Sequence, residues 1–306
     1  METQIALDQL SVELGMPLLG RSGLNESALL KLIGDDRWQT LSRLGNVRTS
    51  DIRDAFDNRL YATYCFVELA LSPEKPLSAF DENDVLHFAR SPLSHYSKVY
   101  LDGTYELTQG GPFVIRCTNV FIYQLAGPQQ LKMAQPDNLD FALLSELPAQ
   151  PDSLNLCRTA KDSGTFQSAD FGDVDLGIRD VTYKIDPDRD ANGAGLIYFA
   201  NFVCFLDLAE RALLADCQMP ETLIDARSTC WRRIGYFGNA QVTDTLQIQV
   251  RARTGVIQEK QLMLAFDYRV HRVSDGKMIL VSSAHKSAKL DDSAREWLNN
   301  HKRQRG

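Results

Sequence analysis

Alternation of apolar and polar positions is clearest near the end of the chain. From Thr245 to Arg253 ("TLQIQVRAR") it runs unbroken, with Leu246, Ile248, Val250 and Ala252 on one face. A period of two is that of a strand with one face buried. "LMLAFDYRVHRV" (Leu262–Val273) reads as a second strand, closed by the turn "SDGK", and "MILVSSAHKSAKL" as a third. Ahead of them the pattern changes. From Leu196 to Leu206 every residue but Asn201 is apolar or aromatic, and polar residues then appear at Asp207, Glu210 and Arg211. Those three share one helix face, which predicts a helix buried all round at its start and amphipathic at its end. Strands with no helix between them exclude a doubly wound parallel sheet.

The first half repeats this order less clearly. "LLGRSGLNESALLKLIGDDRW" (Leu18–Trp38) offers a glycine-flanked turn and then a helix, with Asn25 as its N-cap. Strand candidates follow in "LYATYCFVELAL", "SKVYLDGTYEL" and "PFVIRCTNVFIYQL". Two successive units, each a helix and then strands, predict an internal duplication in which each sheet curls around one helix. Between them, Pro128 to Asp170 is the least periodic stretch and is rich in Pro, Gln, Ser and Asp. It is expected to connect the halves along the surface. The division is placed at 145/146, giving units 1–145 and 146–306.

Composition narrows the class without changing this picture. The 306 residues are 44% hydrophobic and 24% charged, as in an ordinary globular protein. A net charge of −7 argues against a nucleic-acid partner, and the basic end "HKRQRG" reads as a short solvated tail. The start "METQIALDQLSVELG" lacks the cationic opening of a signal peptide. No apolar run is long enough to span a bilayer. No membrane partner is expected, and the location expected is cytoplasmic. The six cysteines form no C-x-x-C pair, so reduced thiols are expected and no metal site.

Candidate chemistry centres on "DRDANGAGLIYFANFVCFLDLAERALL" (Asp188–Leu214). A glycine-containing turn ahead of a helix lets a substrate approach the backbone closely, near the helix's unpaired N–H groups and positive dipole end. Such a turn could hold a thioester carbonyl and an enolate oxyanion; an ordinary buried helix start is the competing reading. Asp190 reads equally as a capping carboxylate or a catalytic one. Arg232 and Arg233 in "WRRIGY" could meet phosphates, though a solvated strand edge explains them as well. No H-x-x-x-G-x-x-x-x-P dehydratase pattern and no G-x-S-x-G elbow occur in the sequence.

The Asp190, Asn192, Gly193 and Tyr198–Asn201 run resembles the opening of hotdog acyl-CoA thioesterases of the 4-hydroxybenzoyl-CoA type, with Phe199 where that family has a histidine. A closer resemblance covers nearly the whole chain. "MPLLGRSGLNESALLKLIGDDRW", "RLYATYCFVELAL", "RDANGAGLIYFANF" and "YFGNAQVTDTL" are similar to the double-hotdog acyltransferase/decarboxylases of polyketide clusters, of the leinamycin type. The resemblance implies an α+β fold of two tandem hotdog units. It also implies decarboxylation of methylmalonyl-CoA or a close malonyl thioester, with acyl transfer to the phosphopantetheine of an acyl carrier protein. The alternatives are a thioesterase using Asp190 and a non-catalytic acyl-binding scaffold. Catalytic candidates are Tyr61, as the matched acyl-carrying position, with Asp190 and Asn192; Gly193, Ala194, Gly195 and Phe199 are the substrate and oxyanion candidates. No bound cofactor is implied: coenzyme A enters as the substrate thioester. Hotdog folds often pair, so a homodimer is compatible with this reading.

Overall fold

The computed structural model describes residues 9–127, 129–167, 174–257 and 261–305. Both expected central helices form. Helix α1 spans Glu26–Leu44 and is capped by Asn25, whose Oδ1 accepts the Ala28 N–H at 2.9 Å. Helix α3, Asn201–Asp216, is its counterpart in the second half; α2, Asp152–Ser163, lies between them. The first half contributes strands β1 (Gln9–Glu13), β2 (Tyr61–Leu71), β3 (Val85–Arg90), β4 (Tyr100–Leu107) and β5 (Phe113–Gln124). The second contributes β6 (Val174–Lys184), β7 (Ser228–Tyr236), β8 (Thr245–Ile257), β9 (Gln261–Arg272) and β10 (Met278–Lys289).

The spatial order is β1-β3-β4-β5-β2-β7-β10-β9-β8-β6. Read outward from the middle it is the same order twice, β2-β5-β4-β3-β1 and β7-β10-β9-β8-β6. The duplication is therefore real at the level of topology, and the fold is an α+β double hotdog. The halves join where β2 and β7 pair antiparallel, from Phe66↔Gly235 to Ala70↔Trp231. A single apolar cluster runs through both halves, from Leu29 and Ile33 on α1 to Phe205 and Leu206 on α3 and Ile248 and Phe266 in the second sheet. Gly34 lets the two helices meet: a Cβ there would stand 2.8 Å from the Tyr198 hydroxyl and 2.9 Å from the Phe199 ring.

Two expectations change. The connection is not without structure, because α2 lies across β2 and β7 and buries Ser153, Cys157 and Ala160. These are spaced as one narrow helix stripe of small residues, a weak signal in sequence. Pro128 and Ser168–Asp170 lie outside the described residues. The division at 145/146 falls inside a two-residue strand that pairs with Ser94–Tyr96 of the first half. Positions 301–305 of the basic end finish helix α4, Asp292–Arg305, and His301 is buried with its ring stacked on Trp297. Among the described residues no helix is long and apolar enough to cross a membrane, and no group of three or more His, Cys, Asp or Glu is placed to hold a metal.

Candidate functional site

The β2–β7 pairing is short, and at each end the strands part and a hollow opens. The first hollow lies where β2 begins and β7 ends. It has a volume of about 480 Å³, and its wall includes Tyr64, Cys65, Ile122, Phe199, Phe202 and Tyr236. Both halves and the middle of α2 contribute to it. Phe199 stacks on Tyr64 with ring centroids 4.0 Å apart, and the Tyr236 hydroxyl donates to the Phe199 carbonyl at 3.1 Å. Burial pushes the Tyr64 and Tyr236 phenols well above their ordinary range, so both stay neutral donors. Among the described residues neither a carboxylate nor a histidine lines this hollow, and its charged members are Arg158 and Lys161.

The glycine turn lies beside it but does not start the helix. Ala191 and Ile197 form an isolated bridge, and α3 begins only at Asn201. The turn's N–H groups are mostly used internally. Asn192 Oδ1 accepts the Ala194 N–H at 3.0 Å and the Leu196 N–H at 3.2 Å, and the Asn192 carbonyl accepts the Gly195 N–H at 2.9 Å. Asn239 takes the Ile197 N–H at 2.9 Å. Gly195 has φ +71°, a conformation that favours glycine, and a Cβ at Gly193 would meet nothing within 4 Å. The helix-start donors expected at Gly193 therefore belong to the chain after Tyr198. There α3 has no side-chain cap and no acidic residue in its first turn, and Phe199 and Phe202 face the hollow.

Asp190 is almost fully buried and engaged on both oxygens. Oδ2 accepts from the Tyr183 hydroxyl at 2.7 Å and the Asp186 N–H at 2.9 Å, and Oδ1 accepts from Arg189 Nε at 2.9 Å. Burial raises its pKa, but the hydrogen bonds from Arg189 and Tyr183 outweigh it and hold the carboxyl below its ordinary value. Its carbonyl accepts from Tyr198 N–H and Asn201 Nδ2, so Asp190 fixes the entry to α3. It is not part of the hollow's wall. Tyr61 packs with Ala194, Leu196 and Ile122 in one apolar cluster, which brings the start of β2 to the turn across the two halves. The Arg59 guanidinium lies 4.9 Å from the Tyr61 ring centroid, a cation that local sequence did not single out.

The second hollow, about 430 Å³, lies at the other end of the pairing, where α1 begins. Glu26, Ser27, Asp207, Arg227, Thr229 and Lys286 are in its wall. Lys286 Nζ is 2.6 Å from Asp207 Oδ1 and 2.7 Å from Glu210 Oε2. Arg232 Nε stands 2.7 Å from Glu26 Oε1, an ion pair without good hydrogen-bond alignment. Arg227 Nε reaches Glu210 Oε2 at 2.9 Å. Burial drives the Glu210 carboxyl upward, but Lys286, Arg227 and Arg232 together pull it well below the usual carboxylate range. Burial prevails at Glu26, whose pKa is raised despite Arg232 and the 2.9 Å hydrogen bond from Thr229.

Sequence reasoning missed this cluster. Glu210, expected on a polar helix face, is fully buried. Arg232, expected on a strand edge, is 1% exposed, because β7 is the joining strand and not an edge. Arg233 pairs with Glu68 across the join, Nε to Oε1, at 2.7 Å.

No protein-family model matches the chain, and no curated protein matches it in sequence. Solved structures match its fold. It overlays on a protein provisionally assigned as an oleoyl thioesterase from Lactobacillus plantarum with TM-score 0.62 and 8% identity, covering 93% of this chain and 97% of that one. An acyl-ACP thioesterase from Bacteroides thetaiotaomicron gives TM-score 0.54 and 11% identity over 91% and 96%. The 12:0-ACP thioesterase of Umbellularia californica gives 0.53 and 10% over 91% and 92%. At such identities the likeness establishes the double-hotdog fold alone.

Proposed function

We propose that this chain is an enzyme acting on acyl thioesters of coenzyme A or an acyl carrier protein, and that its net reaction is hydrolysis. The observation that carries the reading is the apolar hollow at the join of the two halves, with Phe199 and Phe202 in its wall and the uncapped start of α3 beside it. An acyl group fits an apolar wall of that volume. The first N–H groups of α3 suit the negative charge that develops on a thioester carbonyl. The solved relatives are thioesterases, which favours hydrolysis over the decarboxylative transfer implied by the sequence resemblance.

Transfer remains as a second reading, because among the described residues the wall of this hollow holds no carboxylate or histidine to activate water. Decarboxylation of a malonyl-type thioester needs none, since the thioester carbonyl is itself the electron sink and an apolar wall disfavours the substrate carboxylate. Its acyl acceptor would be Tyr61, which packs in the apolar cluster beside the hollow with the Arg59 guanidinium over its ring but is not in the hollow's wall.

One experiment separates the readings. The protein is incubated with acyl-CoAs of two to twelve carbons and with methylmalonyl-CoA, with and without a holo carrier protein, and products are followed by mass spectrometry. Free acid and free thiol support hydrolysis. Propionyl-carrier protein supports transfer. Binding without turnover overturns both and leaves an acyl-binding scaffold.

A further inference from the structure

We propose that the charged hollow at the start of α1 is a second reaction site, in which Glu26 is the general base for hydrolysis of a short-chain acyl thioester. The proposal rests on the acyl-thioester reading above and supplies what the apolar hollow lacks. Paired hotdog units present two equivalent openings, one at each end of the joining strands. Here the sequence has made one apolar and the other charged.

The second opening has the parts that hydrolysis needs. Glu26 sits at the first position of a 19-residue helix, and Oε2 accepts from Thr229 Oγ1 at 2.9 Å. The adjacent Ser27 hydroxyl is 5% exposed, lines the hollow and has no hydrogen-bond partner in the structure. That hydroxyl and the first N–H groups of α1 are donors for an oxyanion. Asp207 is held by Lys286 and Arg232, whereas at Glu26 burial outweighs the Arg232 ion pair and raises the carboxyl's basicity. Leu24, Leu77, Val203 and Leu208 form a small apolar wall, enough for a short acyl group. A neighbouring hollow of about 750 Å³ shares Arg21, Ser22 and Asp225 and continues along Gln261, Ser287 and Lys289. That hollow gives a pantetheine arm a route out over largely apolar surface flanked by polar side chains.

The reaction balances without a cofactor. Glu26 takes a proton from water as the water oxygen bonds to the thioester carbon. The carbonyl oxygen carries the negative charge of the intermediate. The C–S bond then breaks, and the departing thiolate receives the proton from Glu26, giving one carboxylic acid and one thiol.

Hydrolysis of acetyl-, butyryl-, hexanoyl- and lauroyl-CoA by the full chain, measured from pH 5 to 9, tests the proposal. Glu26→Gln should lower kcat for acetyl- and butyryl-CoA about 100-fold or more with KM little changed. Thr229→Val should move the acid limb of the pH profile upward, since the lost hydroxyl favours ionised Glu26; a purely structural Thr229 would not move that limb. Thermal melts on both variants check folding, and Thr229→Val decides if Glu26→Gln does not fold. Near wild-type hydrolysis by Glu26→Gln, or an unmoved limb in Thr229→Val, overturns this site while leaving the thioesterase reading intact. No hydrolysis by the wild type overturns both.

Discussion

The two ends of the β2–β7 join occupy equivalent positions in a duplicated fold, and they differ in almost every physical respect. One is walled by Tyr64, Phe199, Phe202 and Tyr236, with Arg158 and Lys161 on α2 and no carboxylate among the described residues. The other gathers Glu26, Asp207 and Glu210 against Arg227, Arg232 and Lys286. Two identical subunits cannot diverge in this way, because each substitution appears at both ends. Fusion of the two units into one chain makes every position independent. The comparison teaches that topology sets where a hollow opens, while a few side chains set what it can bind.

The charged end should be the more fragile. Arg232 is buried and faces Glu26, Asp207 and Glu210, so Arg232→Met leaves buried Glu26 without its ion-pair partner and weakens the compensation of Glu210. Chemical denaturation should show a loss of about 3–5 kcal/mol. A loss below about 1 kcal/mol would mean the cluster is far wetter than its burial indicates. Acid exposes the same contrast. The Glu210 pKa is depressed in the folded state, so its contribution is present above the unfolded value of about 4.3 and is lost as pH falls further. His285 on β10 is also depressed, to about 4, chiefly by burial. Its contribution is therefore present above about 6.5 and is lost as pH falls towards 4. Melting temperatures should decline below pH 6.5 and more steeply below pH 4.3, and Arg232→Met should flatten the steeper limb.

Asp190 and Tyr61 sharpen the comparison at the apolar end. Asp190→Asn keeps the shape but removes the charge that Arg189 faces, and should cost about 1–2 kcal/mol through the hydrogen bonds that fix the entry to α3. Thioester cleavage per folded molecule should survive. If it vanishes, Asp190 is the catalytic carboxylate after all. Tyr61→Phe should leave hydrolysis and stability nearly unchanged; collapse of acyl transfer to a carrier protein would instead establish the second reading.

A change in selectivity with little change in stability is expected at Gly34. Alanine there favours the helix by about 1 kcal/mol but presses on Tyr198 and on Phe199, which lines the apolar hollow. Stability should change little, while the preferred acyl chain shortens, by about fourfold in kcat/KM per excluded methylene. An unchanged chain-length profile would place the acyl group elsewhere.

What could be read from the sequence divides along the same line. Periodic features were legible because they are local: the alternation of β8, the Asn25 cap and the apolar α3 follow from neighbours along the chain. Long-range placement was not. "WRRIGY" reads the same as an edge or as a central strand, since its partners are β2 and β10, far away in sequence. The start of α3 was misplaced because the Ala191–Ile197 bridge and Asn239 hold the glycine turn out of the helix. Glu26 gives no local sign of burial, because acidic residues are common in a first helical turn. Its environment is set by Thr229 and Arg232 in the other half.

The join also governs how the molecule is made. Every hydrogen-bonded pair between β2 and β7 closes a loop of roughly 160 residues, whereas most other strand pairings lie within one half. Each half can gather its own strands early, and the long closure comes last. Both hollows exist only after that closure, since each is lined from both halves. Refolding followed by secondary structure should therefore run ahead of recovered turnover, and a nascent chain still awaiting its second half carries neither finished pocket.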